Sequence, residues 1–122
     1  MEKQLFIDEL KGSFNLRETK VSKSTNVYFV FRYNGKQYKI STGVKVCPLY
    51  WDKMNMRAYT NKKIPNLDNY NNAIVNDTIK KYIHLFEECK RIIRNLSEND
   101  IVDKEILIII LNYMKKKTTS KN

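Results

Sequence analysis

The sequence predicts an α+β fold: a three-stranded antiparallel sheet packed on a long amphipathic helix and followed by a second helix. Three observations carry that prediction. Two alternating apolar runs meet at Asn34-Gly35, a dipeptide suited to a type I′ hairpin turn because both central residues need φ > 0. A stripe of apolar residues steps by four and three from Val75 to Leu96, which is the helical period. A third segment, about residues 103–116, opens on Asp103 and Glu105 and closes toward Lys115, Lys116 and Lys117, matching the polarity of a helix dipole.

Residues 13–18 alternate polar and apolar, the mark of a half-buried strand. Residues 26–33 are dense in β-branched and aromatic side chains and follow a polar loop at 20–25. A third strand over 36–42 follows the turn directly and is expected to stop at Gly43. The two-residue turn sets the register, so that Tyr33 faces Lys36, Phe31 faces Tyr38, Phe29 faces Ile40 and Val27 faces Thr42. Joined by Phe14 and Leu16, these form the core face. The opposite face then carries Ser13, Asn15 and Arg17, then Tyr28, Val30 and Arg32, then Gln37, Lys39 and Ser41, a polar and basic surface.

Beyond the sheet, residues 44–46 read as extended and Pro48 can open a short helical turn. Leu49, Tyr50 and Trp51 are expected to plug one end of the core, given the area such side chains bury. Residues 53–66 read as a loop that ends with Asn66 as a helix N-cap. The long helix, about 67–96, presents Val75, Ile79, Tyr82, Phe86, Cys89, Ile93 and Leu96, with Ile83 and Ile92 widening the stripe. So small a sheet needs cover on its apolar face. About 30 helical residues span roughly 45 Å, more than three short strands can occupy, so the surplus is expected to pack on the second helix or on a partner. A loose tail is expected over 118–122.

The chain has 122 residues, room for one compact domain, and 23 Lys and Arg against 13 Asp and Glu give a net charge of +10. That excess points to a polyanionic partner. It lies mostly in residues 1–66, which hold 13 basic and five acidic side chains. Two cysteines, Cys47 and Cys89, and one histidine, His84, offer neither a disulfide framework nor zinc-ligand spacing. A reduced, cytoplasmic protein is expected, because the N-terminus lacks a secretory pattern and the longest apolar run, 106–111, is far short of the roughly 20 residues of a membrane span. The acids are scattered, His84 lies off the apolar stripe, and no glycine-rich phosphate loop exists. Catalytic residues, metal, cofactor, small-molecule substrate and membrane contact are therefore all expected to be absent.

The polar sheet face is different. A narrow sheet can enter a DNA major groove, where arginine pairs with guanine and glutamine or asparagine with adenine. Asn15, Arg17, Tyr28, Arg32, Gln37, Lys39 and Ser41 are side chains of that kind. Lys20, Lys23, Lys36, Lys45, Lys53, Arg57, Lys62 and Lys63 lie in loops or at strand ends, where they could neutralise phosphates. The pattern alone leaves other readings open: a merely solvated sheet surface, a helix-mediated protein–protein interaction module, or a double-stranded RNA-binding domain.

A resemblance bears on that choice. Phe14-x-Leu16-Arg17, Tyr28-x-x-Phe31-Arg32-x-x-Gly35-Lys36, Ser41-Thr42-Gly43-Val44-x-Val46 and Trp51-Asp52 resemble the N-terminal arm-type DNA-binding domain of tyrosine recombinases, the integrases of phages and conjugative transposons. The likeness covers about residues 12–95. It implies a three-stranded sheet packed on a helix and inserted into the major groove of accessory DNA sites, with Arg17, Tyr28, Arg32 and Lys39 toward the groove and Ser41-Thr42-Gly43 and Trp51 structural. It also implies double-stranded DNA and other integrase protomers as partners. The family's catalytic domain carries a His-x-x-Arg motif and a nucleophilic tyrosine; no His-x-x-Arg occurs here. Residues 1–96 are accordingly expected to form the arm-type domain, with the sheet at about 13–43, and residues 97–122 a second helix and linker toward a core-binding and catalytic region.

Overall fold

The computed structural model describes residues 4–20, 22–96 and 100–118; the expected tail beyond Thr118 lies outside them. The sheet has the order β1-β2-β3, with β1 at Gly12–Leu16, β2 at Thr25–Tyr33 and β3 at Lys36–Val46. A two-stranded pair, β4 (Trp51–Asp52) and β5 (Arg57–Ala58), follows a single 3-10 turn at Pro48–Tyr50. Helices α1 (Asn66–Leu96) and α2 (Lys104–Thr118) complete the α+β architecture.

The hairpin turn behaves as its residues require. Asn34 and Gly35 both have positive φ, 49° and 77°, the backbone a type I′ turn needs. The register beyond it pairs Tyr33 with Lys36, Phe31 with Tyr38 and Phe29 with Ile40. β1 joins through Phe14 opposite Phe29 and Asn15 opposite Tyr28. Two expectations for β3 are corrected. The strand does not stop at Gly43, and Val27 has no cross-strand partner at Thr42: pairing passes from Tyr28–Ser41 to Asn26–Lys45. Gly43, at φ 80°, accommodates the bulge, and the Thr42 hydroxyl donates to the Val27 carbonyl at 2.7 Å.

The core is aromatic and centred on Phe29, whose ring lies 5.3 Å from Phe14, 5.8 Å from Tyr82 and 5.1 Å from Phe86, centroid to centroid. The α1 stripe of Val75, Ile79, Tyr82, Phe86, Cys89 and Ile93 is buried against it. Ile83, 49% exposed, does not widen the stripe, and Leu96, 82% exposed, overhangs it. Leu49 is corrected likewise: at 77% exposed it plugs nothing, whereas Tyr50 and Trp51 are half-buried against the core. The surplus of α1 packs on α2, whose Leu107, Ile110 and Met114 belong to the same core. The Asp103 carboxylate caps α2 by accepting from the Ile106 N–H at 2.9 Å.

The N-terminal segment, in which the sequence shows no periodicity, is part of this assembly. Ile7 and Leu10 are fully buried around a 3-10 turn at Ile7–Glu9. The Ile7 N–H donates to the Asp100 carbonyl at 2.6 Å and the Val102 N–H to the Leu5 carbonyl at 2.8 Å. Lys90, itself buried, donates to the Leu10 carbonyl at 2.9 Å and lies 3.2 Å from Glu87, while Arg94 pairs with Asp8.

Gly12 shows how closely the sheet edge meets this core: a Cβ there would stand 2.4 Å from Cε1 of Phe29. Since the Phe29 ring is hemmed in by three others, Gly12→Ala should destabilise the fold by about 1–3 kcal/mol, the usual cost of overpacking. Urea denaturation should show a lower midpoint with an unchanged m-value.

Candidate nucleic-acid interface

Antiparallel pairing arranges the side chains opposite the core in cross-strand rows. Asn15, Tyr28 and Ser41 form one; Ser13, Val30 and Lys39 the next; Arg32 and Gln37 a third near the turn. Asn15, Arg32, Gln37, Lys39 and Ser41 are exposed and Tyr28 is half-buried. Val30 is completely buried yet stands apart from the core cluster, so it makes a small apolar floor beneath polar neighbours. The Lys39 ammonium lies 5.6 Å from the Tyr28 ring centroid, an attractive arrangement for a cation over an aromatic face.

The bulge adds a member. Because it inserts two residues, an even number, Lys45 returns to the side of Ser41 and sits opposite Asn26. The sequence reading placed Lys45 only among the phosphate contacts of loops and strand ends; an even-numbered insertion after Gly43 is not visible in a hydrophobic pattern. Arg17 stands at the same end, one residue past β1, exposed, its N–H donating to the Asn26 carbonyl at 2.9 Å. Arg17, Arg32, Lys39 and Lys45 thus bring four positive charges to this side, and no carboxylate occurs in its rows.

The other lysines divide. Lys20 and Lys23 are exposed in the loop joining β1 to β2, at the Lys45 end of the sheet. Lys36 is opposite Tyr33, on the core-side alternation, with its ammonium 6.0 Å from the Tyr38 ring, and does not join the polar rows. Lys62 and Lys63 are exposed on the segment before α1, in the helix layer rather than in the sheet.

That segment is held by asparagines which the sequence reading passed over. Asn76 of α1 accepts from the Ala58 N–H at 2.8 Å and donates to the Ala58 carbonyl at 3.0 Å, imitating a strand neighbour. Asn72 donates to the Tyr59 carbonyl, Asn69 bridges Asn61 and Ile64, and Asn71 reaches the Lys45 carbonyl at 2.9 Å. On the free edge of β1, the Phe14 N–H donates to Met56 Sδ at 3.3 Å.

Burial pushes the Cys89 thiol up to about 11, with the Glu88 charge adding to it, so it is not a thiolate at neutral pH. His84 is a solvated surface residue 3.4 Å from Glu88. Among the described residues, no group of His, Cys, Asp and Glu could hold a metal ion, and no helix is long and apolar enough to cross a membrane.

Fold and surface together define a cationic sheet-and-helix binding module. A family model described as an arm DNA-binding domain matches residues 14–108. The chain belongs to that family, the N-terminal, non-catalytic DNA-binding domain of tyrosine recombinases, or integrases, and double-stranded DNA is its ligand. No curated protein and no solved structure matches the chain.

Removing the side chain of Asn76 leaves the Ala58 amide and carbonyl without their partner. Asn76→Ala should cost about 1–3 kcal/mol. Amide exchange at Ala58 and Tyr59 should accelerate more than exchange in β2.

Proposed function

We propose that the chain reads duplex DNA by laying the polar face of β1–β3 into the major groove, as the accessory-site domain of an integrase carried by a mobile element in the cytoplasm. The observation that carries the reading is the alignment of Asn15, Tyr28, Arg32, Gln37, Lys39 and Ser41 on one solvent-facing side of a sheet only three strands wide. Three strands about 4.8 Å apart measure roughly 10 Å between the outer two, and the major groove is about 12 Å wide. Arg32 and Gln37, side by side beyond the turn, suit guanine and adenine respectively. Lys39, held over Tyr28, serves as a positioned cation beside them.

Phosphate contacts supply the sequence-independent share of affinity. Lys20, Lys23 and Lys45 lie at one end of the polar face, together with Arg17. Lys62 and Lys63, on the asparagine-held segment, and Lys36, behind the sheet, are peripheral contributors. Residues 1–96 form the reading unit, and residues 97–122 lead toward the core-binding and catalytic region of the recombinase, whose other protomers are its protein partners.

Binding of duplexes from the element's ends, measured by anisotropy at several salt concentrations, tests this. Arg32→Ala should weaken the preferred site by about 1–3 kcal/mol and non-specific duplex far less. Lys62→Ala should weaken all duplexes alike and slightly. Tyr28→Phe should retain near-native affinity and Tyr28→Leu should not, if the ring positions Lys39. Equal losses on every duplex for Arg32→Ala would refute base reading, and equal binding of A-form RNA, whose major groove is too deep and narrow for a sheet, would refute the docking mode.

A further inference from the structure

We infer that α2 carries a self-complementary face through which two copies of this chain pair. The residues of α2 opposite its buried Leu107, Ile110 and Met114 are Glu105, Ile108, Ile109, Asn112 and Lys116, a helical stripe at spacings of three and four. Ile108 and Ile109 are 57% and 47% exposed, although they stand at the centre of a helix whose neighbouring surface is charged.

The order of this stripe points to its occupant. It reads acid, apolar, amide, base from the N-terminal to the C-terminal end, so a second α2 laid antiparallel presents the same sequence reversed. A two-fold axis between Ile110 and Leu111 sets Glu105 of each copy against Lys116 of the other. Ile108 and Ile109 of both copies then meet near the axis. Each Asn112 stands level with Ile109 of the other copy, and the two Asn112 amides are offset by about 4.5 Å along the helices. On one flank, the groove between α1 and α2, about 360 Å³ and lined by Ile92, Leu96 and Ile109, faces its counterpart and brings the overhanging Leu96 side chains toward the seam. An isologous contact of this kind closes on itself at two copies. A helix of 15 residues is about 22 Å long, and such a seam is smaller than the roughly 800 Å² per partner of a standard interface. The dimer is therefore weak alone. The pairing does not depend on how the sheet meets DNA.

Charge reversal at the two ends makes the test specific. Sedimentation equilibrium of the chain without DNA, from micromolar to millimolar concentration, should show a reversible monomer–dimer equilibrium. Glu105→Lys and Lys116→Glu should each weaken it roughly tenfold or more, because like charges then face each other twice. An equimolar mixture of the two variants should dimerise as the parent does, since every Lys in that mixed pair again meets a Glu; the double variant should also dimerise. Ile109→Lys should abolish the association, and all variants should keep the parent's circular dichroism. A chain that stays monomeric at millimolar concentration, or a mixture that associates no better than its separate components, overturns the inference and leaves this face to another partner.

Discussion

The two-residue reversal at Asn34-Gly35 is the constraint on which the rest depends. With both residues at positive φ, Tyr33 must pair with Lys36, and the pairings from there to Tyr28 with Ser41 follow from that one. In a sheet the side-chain period is two, so a slip of one residue would exchange the faces completely. Phe29, Phe31 and Ile40 would then meet water, and Arg32 and Lys39 would be driven against Phe86 and Tyr82. The aromatic cluster around Phe29 opposes that slip, because Phe or Trp truncation in such a core costs about 3–5 kcal/mol and a slip would expose several rings at once. Turn chemistry and core packing select the same register, and the charged face is the remainder of that selection.

The features legible in the sequence share a property: each is a repeat whose period belongs to one kind of backbone. The hairpin, the polar face and the α1 stripe are of this type. What was not legible depends on contacts between segments distant in sequence. The bulge at Gly43 conserves the alternation on both sides of it, so its only local signal is the glycine itself, which reads equally well as a strand end. The pairing of Leu5 and Ile7 with Val102 and Asp100 is made by backbone groups and leaves no side-chain pattern. Asn69, Asn71, Asn72 and Asn76 look in sequence like a polar helix start; their role appears only when the segment at 58–64, and for Asn71 the end of β3 at Lys45, lies within reach of their amides. Leu49 and Ile83 differ for the opposite reason, since an apolar residue in the right register still needs a neighbour, and these two face solvent instead.

Charge is deployed by layer. The cross-strand rows of the sheet face carry cations without carboxylates among them, and Glu18 is the acid of the adjoining β1–β2 loop, while Asp8 pairs with Arg94 and Glu87 with Lys90 on the helical side. Lys90 illustrates the division. It is a lysine that contributes nothing to the surface field, because its ammonium is enclosed by the Leu10 carbonyl, Glu87 and the face of Phe86. Net charge alone overstates what is available to a polyanion. What matters for the arm-domain role is the subset whose counter-charges are elsewhere, and the sheet supplies that subset on one side.

The same partition explains why α2 has to be considered with the sheet, although residues 97–122 read in sequence as an appendage. Tyr33, at the end of β2, donates to the Val102 carbonyl at 3.0 Å, and Leu107, Ile110 and Met114 share a core with Phe29. The N-terminal strap closes the joint from the other side through Leu5 and Ile7. A helix so tied cannot swing independently of β2 without breaking backbone hydrogen bonds and exposing core side chains. Whatever engages the outer stripe of α2 is consequently held in a fixed orientation to the polar face of the sheet, and two copies joined there would hold two such faces in a fixed relative orientation. Geometry of that kind turns a weak protein contact into a preference for DNA sites of one spacing, because the second site is engaged at the effective concentration set by the first rather than by bulk solution.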